Sequence, residues 1–426
     1  MSAGEITLKG DQYPPEASLK LNGPPGTGKT TQLLERVTSL LDDGYEPSDI
    51  VFVTYRKEMA AEFLRRLHER GHIEQEEAQK PWKHDTRRFG TLHGVCNRIT
   101  SDAAVVEDKH RRDFMLTEYS AKYDGRGAEW DDNPSRRDPI GTLLFDAYDW
   151  CVENKQHSFV RAPNFKEIQD QAISPPSFQE FDEAWTAYKE DGTEDGEPLR
   201  DFAGMLREVD EGGFRPPGDV LVVDEYHDMT PIMASICEYW METFDTVIVG
   251  GDPLQAIYSY KGADPDFFTG LDLPEVLLDR TYRVPENVWD YARGVIDHDP
   301  PDIRPDSEGG SVRAVTGEPH RVVSKYGDRG SVMFLARTQS QLYDIAQGLR
   351  ANGIIFRSQQ GIGGWNHSNT LLGLYNALQK VEGARPADHV NPETGQTGMA
   401  RFEQGETESV SRPPDNVSLE PEEARK

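Results

Sequence analysis

The chain has 426 residues and 75 acidic against 46 basic side chains, a formal net charge of −29 at pH 7; length alone predicts roughly two to four domains. No run of about 18 apolar residues appears and Met1 to Tyr13 is too polar for a signal peptide, which predicts a soluble cytoplasmic protein without membrane contact, while Cys96, Cys151 and Cys237 are scattered without a C-x-x-C pair and exclude a disulfide framework or a zinc or iron–sulfur site. Arginine outnumbers lysine 31 to 15, and an acidic, arginine-rich surface suits a halophilic protein in molar salt, where the Debye length is about 3 Å; the net charge therefore does not exclude a nucleic acid partner.

Residues 1–17 read as a flexible lead-in. A short strand, Ser18 to Leu21, then feeds Gly23-Pro24-Pro25-Gly26-Thr27-Gly28-Lys29-Thr30-Thr31, which fits G-x-x-x-x-G-K-[ST]. An amphipathic helix from Thr31 to Leu41 follows, with Leu33, Leu34, Val37, Leu40 and Leu41 at helical spacing. Such a loop presents converging backbone N–H groups and a helix N-terminus to polyphosphate. Lys29 would reach the β and γ phosphates, and the Thr30 hydroxyl would hold Mg²⁺.

Asp49 to Thr54 reads as a buried parallel strand and Lys57 to Gly71 as a helix. Phe89 to Ile99 reads as a short loop and the start of a helix. From about 100 to 215 the chain reads as helical and charged, without a clear strand. Apolar stripes mark Ile140 to Asn154, Phe165 to Ala172, Ser177 to Glu190 and Leu199 to Val209, which predicts a helical insertion. The α/β pattern resumes with a strand ending in Asp224-Glu225, a helix from Pro231 to Phe244 and a strand from Thr246 to Gly250. Beyond Asp279 a second α/β unit is expected, with helices over Pro285 to Ile296 and Gln339 to Ala351 and strands over Ser331 to Ala336 and Ile354 to Arg357. Residues 384–426, rich in proline and acidic side chains, read as disordered.

The expected fold is thus an α/β P-loop NTPase: a RecA-like parallel sheet domain with a helical insertion and a partial second RecA-like domain. Its boundaries are 18–99 with 216–280, 100–215 for the insertion, and 281–383. Parallel strands deliver their C-terminal ends to one crevice. There Asp224 can hold the metal, and Glu225 can polarise the water that attacks the γ-phosphate; the alternative is that the two acids end a strand and cap the next helix. Gln255, in Asp252-Pro253-Leu254-Gln255, faces the same crevice and could sense the γ-phosphate. Tyr258 and Tyr260, and Tyr55 beside Arg56, are aromatics next to cations near strand ends, suited either to stacking on nucleotide bases or to packing the domain edge. Arg283 could act as an arginine finger or form a surface salt bridge.

Taken together, these blocks resemble the superfamily 1A helicases of the UvrD/Rep family over about residues 18–380. Gly23 to Thr31 resembles motif I, Thr54 to Ala60 motif Ia, and Gly90-Thr91-Leu92-His93 the threonine-histidine block. Asp224 to Asp228 resembles motif II, Gly251 to Ala263 motif III, and Thr281-Tyr282-Arg283 motif IV. The resemblance implies ATP and Mg²⁺ as cofactors, with Tyr282 stacked on adenine and Arg283 and Gln255 at the γ-phosphate. It further implies Tyr55, His93, Tyr258 and Tyr260 on single-stranded DNA. The implied activity is ATP-driven translocation, usually 3′ to 5′, with unwinding at duplex junctions and DNA repair among the pathways served. In the same terms the insertion resembles subdomain 1B and the second α/β unit subdomain 2A.

Three departures from the family pattern stand out. His227 occupies a position where the family usually has Gln. No glutamine motif is visible before the cradle, with Gln12 the nearest candidate. Nothing after about residue 370 resembles motifs V and VI, the latter normally the source of a second arginine. Two expectations follow: a helicase whose remaining motifs come from a second chain, or a truncated or split protein that binds ATP and DNA as a switch with little turnover.

Overall fold

In a computed structural model, residues 13–100, 103–125, 138–172, 174–192, 196–296, 302–315, 317–327, 331–352, 354 and 356 are described. Residues 1–12 with Gln12, most of the expected 354–357 strand, the rest of the second unit and the 384–426 tail lie outside them. The chain forms two compact units, Met1–Val312 and Arg313–Lys426.

The first unit is built on a six-stranded sheet. Its strands are β1 (Leu19–Asn22), β2 (Ile50–Thr54), β3 (Phe89–Thr91), β6 (Val220–Val223), β7 (Thr246–Gly251) and β8 (Glu275–Leu277). Between β3 and β6 the chain adds β4 (Ala104–Val105) and β5 (Leu199–Arg200). The order in the sheet is β3-β2-β6-β7-β1-β8, and every pairing is parallel. Parallel sheets bury both faces, and these strands sort their alternate residues accordingly. Ile50, Phe52, Val220, Val222 and Ile248 join the core beneath helix Lys29–Asp42, while Val51, Val53, Leu221, Val223, Val247 and Val249 join the core on the other face. Lys20 is the exception: its buried ammonium donates to the Thr269 and Leu271 carbonyls at 2.9 and 3.1 Å and pairs with the Glu275 carboxylate at 3.6 Å.

The segment between β3 and β6 is mainly helical, with helices at Asp108–Tyr119, Ile140–Glu153, Phe165–Gln171, Phe178–Asp191 and Phe202–Gly212. Two details differ from expectation. β4 and β5 pair in parallel, because both edges find a partner across the insertion. Leu199 also lies outside the last helix, which starts after Asp201, whose carboxylate caps the Gly204 N–H at 2.6 Å and accepts from Trp185 Nε1 at 2.5 Å. Phe114, Phe145, Phe181 and Trp185 pack ring against ring, and the guanidinium of Arg111 makes two hydrogen bonds to Asp149 at 3.0 and 3.2 Å beside them. This aromatic cluster is continuous with the core on the Val51 face of the sheet.

β3 itself was expected as a loop; three residues suffice because β2 supplies the ladder. Residues 13–17, expected to be loose, are tied down by Arg36, which donates to the Pro14 carbonyl at 3.1 Å. Past β8, β9 (Arg280–Thr281) pairs with β10 (Arg304–Pro305), and a helix spans Glu286–Arg293. In the second unit helices span Pro319–Tyr326 and Gln339–Ala351. The strand expected over 331–336 is absent: among the described residues no strand lies beside it to complete a ladder, and Met333 and Leu335 are exposed.

Phe114 is fully buried and meets five other rings. Phe114→Ala is expected to cost about 3–5 kcal/mol of stability, measured as a lowered urea midpoint.

Candidate nucleotide site and aromatic track

The loop after β1 turns through two glycines in the left-handed region, Gly26 at φ 75° and Gly28 at φ 88°. Gly26 is irreplaceable on two counts, since a Cβ there would stand 2.3 Å from Cβ of Arg283. Thr27 closes the loop with its hydroxyl on the Pro24 carbonyl at 2.8 Å, and the Gly23 N–H reaches the Gly251 carbonyl at 3.1 Å. Lys29 is buried; its ammonium donates to the Gly23 carbonyl at 2.7 Å and lies 3.9 Å from Glu225 Oε2. The Thr30 hydroxyl donates to Asp224 Oδ2 at 3.0 Å. The cradle and the carboxylates at the end of β6 therefore share one crevice.

Glu225 adopts φ 56°, a strained value for a non-glycine residue. Its Oε2 is buried and accepts no hydrogen bond. Burial, reinforced by the Glu225 charge, pushes the Asp224 carboxyl far above its ordinary range. Burial also raises Asp252, and burial followed by Glu225 lifts Asp228 to about 6. A buried pocket of acids with one carboxylate and one hydroxyl already in contact suits Mg²⁺, which keeps several waters and takes its remaining ligands from phosphates. Thr30 and Asp224 are the residues that would hold it. Among the described residues no cluster of three His, Cys, Asp or Glu offers an all-protein metal cage.

Gln255 turns onto Asp252, its amide donating to Oδ2 at 2.5 Å, and Asp252 also accepts from the Leu254 N–H at 3.1 Å. The Asp252 N–H in turn donates to Nδ1 of His227 at 3.0 Å. His227 is buried, its Nδ1 lies 3.7 Å from Glu225 Oε2, and burial followed by the Lys29 charge holds its pKa near 4. A neutral imidazole that accepts at Nδ1 does what an amide oxygen would do there, which is how a histidine fits this position. On the far side of the cradle, the Thr281 hydroxyl donates to the Pro25 carbonyl at 2.7 Å and the Tyr282 N–H to the Gly26 carbonyl at 2.9 Å. Tyr282 and Arg283 are exposed beside the loop, with the Arg280 guanidinium over the tyrosine ring.

The aromatic candidates also converge. Tyr55 and Tyr258 lie with ring centroids 5.2 Å apart and Tyr258 and Tyr260 6.2 Å apart. Arg56 hydrogen-bonds the Tyr258 hydroxyl, and Lys261 lies over both Tyr258 and Tyr55. His93, whose pKa burial and then the Lys261 charge depress to about 4, meets Phe202 edge-on. Three residues outside the sequence-based candidates complete the cluster. Lys261 follows the tyrosines directly and was legible from that position. Trp150 and Asn154 gave no such signal, being more than 100 positions away: Trp150 donates to the Tyr260 carbonyl at 3.2 Å and Asn154 to the Lys261 carbonyl at 2.9 Å.

Fold and site together define a P-loop NTPase domain. The model of the UvrD/REP helicase N-terminal domain matches residues 11–273, and the chain belongs to that family. It is 26% identical to ATP-dependent DNA helicase UvrD2 of Mycobacterium tuberculosis (strain H37Rv) over 313 residues, 67% of this chain and 43% of that protein. It is 26% identical to ATP-dependent DNA helicase PcrA of Staphylococcus epidermidis (strain ATCC 12228) over 304 residues, 66% and 38% respectively. With DNA helicase II of Escherichia coli K12 it shares 22% over 301 residues, 67% and 39%. The chain thus spans about two fifths of the length of the curated relatives it matches.

The depressed pKa of His227 has a measurable consequence. In the unfolded chain His227 takes a proton near pH 6.5 but in the fold only near 4, so its contribution to stability is intact above 6.5 and is lost as the pH falls through that window. Asp224 and Asp228 work in the opposite sense but are common to wild type and a His227→Gln variant. Between pH 7 and 5 the wild type is expected to lose about 2 kcal/mol more stability than His227→Gln, read from urea unfolding at each pH.

Proposed function

We propose that this chain is the ATP-binding part of an ATP-dependent DNA helicase or translocase that moves along single-stranded DNA, 3′ to 5′, and opens duplex at junctions. The observation that carries the reading is the contact of Thr30 with Asp224, which places Lys29 and Glu225 in one crevice. In this reading residues 18–99 and 216–280 form the motor domain 1A, 100–215 the insertion 1B, and 281–383 a partial 2A.

The loop N–H groups and Lys29 bind the β and γ phosphates, and Tyr282 stacks on the base. Mg²⁺, held by Thr30 and Asp224, would supply positive charge to the phosphates when bound. Glu225 orients a water and takes its proton as the water oxygen bonds to the γ-phosphorus and the bond to the ADP oxygen breaks. Charge that develops on the transferred group is met by Lys29, by Gln255 once released from Asp252, and by Arg283. Because Asp252 bonds both Gln255 and His227, and His227 lies beside Glu225, a γ-phosphate that draws Gln255 away loosens the loop that carries Tyr258 and Tyr260. DNA bases stack on those rings and on Tyr55, with Arg56 and His93 alongside. We place the protein in the cytoplasm.

ATP hydrolysis by the purified chain, with and without single-stranded DNA, tests the reading. DNA is expected to stimulate turnover by tens of fold, and Lys29→Ala to abolish it. A DNA-stimulated rate unchanged in Lys29→Ala would overturn the phosphate assignment. ATP binding without stimulated turnover would instead favour a nucleotide-gated DNA switch.

A further inference from the structure

The free edge of the sheet carries cations that the motor reading does not use. Among the described residues β3 pairs only with β2, and two tight turns, Pro81–Lys83 and Asp85–Arg88, lead into it. From Lys80 to Arg98 the chain places Lys80, Lys83, Arg87, Arg88 and Arg98 against a single carboxylate, Asp85, in a protein whose acids outnumber its bases 75 to 46. Elsewhere arginines find acidic partners: Arg66 with Glu62, Arg111 with Asp149, Arg207 with Asp182, Arg304 with Asp279. Among the described residues, Lys83, Arg87, Arg88 and Arg98 have no carboxylate at ion-pair distance. The buried Nε atoms of Arg88 and Arg98 and Nε2 of His84 also lack a hydrogen-bond partner.

These groups form a line. At its start Trp82 is 56% exposed. Arg87 and Arg88 follow at the entry to β3. Arg98 then lies across the strand, its Nη2 donating to the Phe89 carbonyl at 3.4 Å, over Gly90 and Gly94, where a Cβ would come within 2.7 and 3.3 Å of the guanidinium. The line ends at His93, within electrostatic reach of Lys261 in the tyrosine cluster. At about 3.3 Å per residue the strand provides roughly 10 Å of edge between the two ends.

We infer that the edge of β3 is a second contact surface for single-stranded DNA, one that continues the strand from the tyrosine cluster past Arg98 and Arg88 to a base stacked on Trp82. The inference rests on the DNA reading of the tyrosine cluster. Unpaired guanidinium groups suit phosphodiesters, and an open indole face takes an unstacked base, which duplex DNA does not present.

The test is fluorescence anisotropy of the full chain at low salt with oligothymidylates of about 8 and about 16 nucleotides, lengths within the range of single-strand site sizes. Trp82, Lys83 and Arg87 are exposed, so their replacement leaves the core intact. The longer oligonucleotide is expected to bind the wild type more tightly than the shorter one. The triple variant Trp82→Ala, Lys83→Ala, Arg87→Ala is expected to bind the short one as wild type does and to bind the long one roughly tenfold or more weakly. Its slope of log K against log salt should fall by about 1.4, since each phosphate that Lys83 and Arg87 no longer neutralise removes about 0.7. Trp82→Phe, which keeps a stacking face, should retain most of the affinity. A triple variant equal to wild type on both lengths and at every salt, or a wild type that gains nothing from length, overturns the edge surface alone. A wild type that binds neither oligonucleotide overturns the DNA reading itself and this surface with it.

Discussion

The arrangement depends above all on one buried ammonium. Lys29 leans on the Gly23 carbonyl and stands 3.9 Å from Glu225, and its charge is felt by Asp224, Asp228, Asp252 and His227. Carboxylates crowded into a buried crevice are held against their desolvation cost. Burial raises the pKa values of Asp224, Asp228 and Asp252, and the charge of one lysine offsets only part of that rise. A site in this condition attracts further positive charge and then the polyphosphate that brings it. The strained backbone of Glu225 serves the same end, since φ 56° aims a carboxylate where local preference would not put it.

The site was legible because each of its parts is a contiguous stretch whose place follows from topology. Once β1, β6 and β7 are parallel neighbours, the residues after Leu21, Val223 and Gly251 have to meet. What could not be read is what joins those stretches through side chains. His227 stands where the family usually has Gln, a departure whose consequence the sequence leaves open. The structure shows why a histidine works there: burial keeps it neutral, so Nδ1 stays free to accept the Asp252 N–H. The strand expected over 331–336 failed for a related reason, because β propensity proposes a strand and only a neighbouring ladder makes one.

The sequence predicts a helical insertion without saying what it packs against. The aromatic cluster of the insertion shares one core with the sheet, and helix Ile140–Glu153 reaches the tyrosine loop through Trp150 and Asn154. Gly262, at φ 101°, permits this, because a Cβ there would overlap the Asn154 amide. The aromatic track is therefore held from two sides: on one by Asp252 and the crevice chemistry, on the other by the insertion. In the proposed reading, a displacement of either element would alter the surface on which bases stack, and so would link the phosphate state to grip on a strand.

Charge distribution decides how such a track can exist in this chain. A net charge of −29 repels a polyanion at long range, yet the relevant cations sit within a few ångströms of the phosphates they would meet, where a local field outweighs a screened distant one. An acidic protein that retains cations away from ion pairs would concentrate any attraction for nucleic acid in a few places. Arg56 and Lys261 lie over the tyrosine rings, and the Asp228 carboxylate feels both charges. In the proposed reading, acidic surface elsewhere would repel the strand, so preference for the track would come from repulsion as well as from attraction along it.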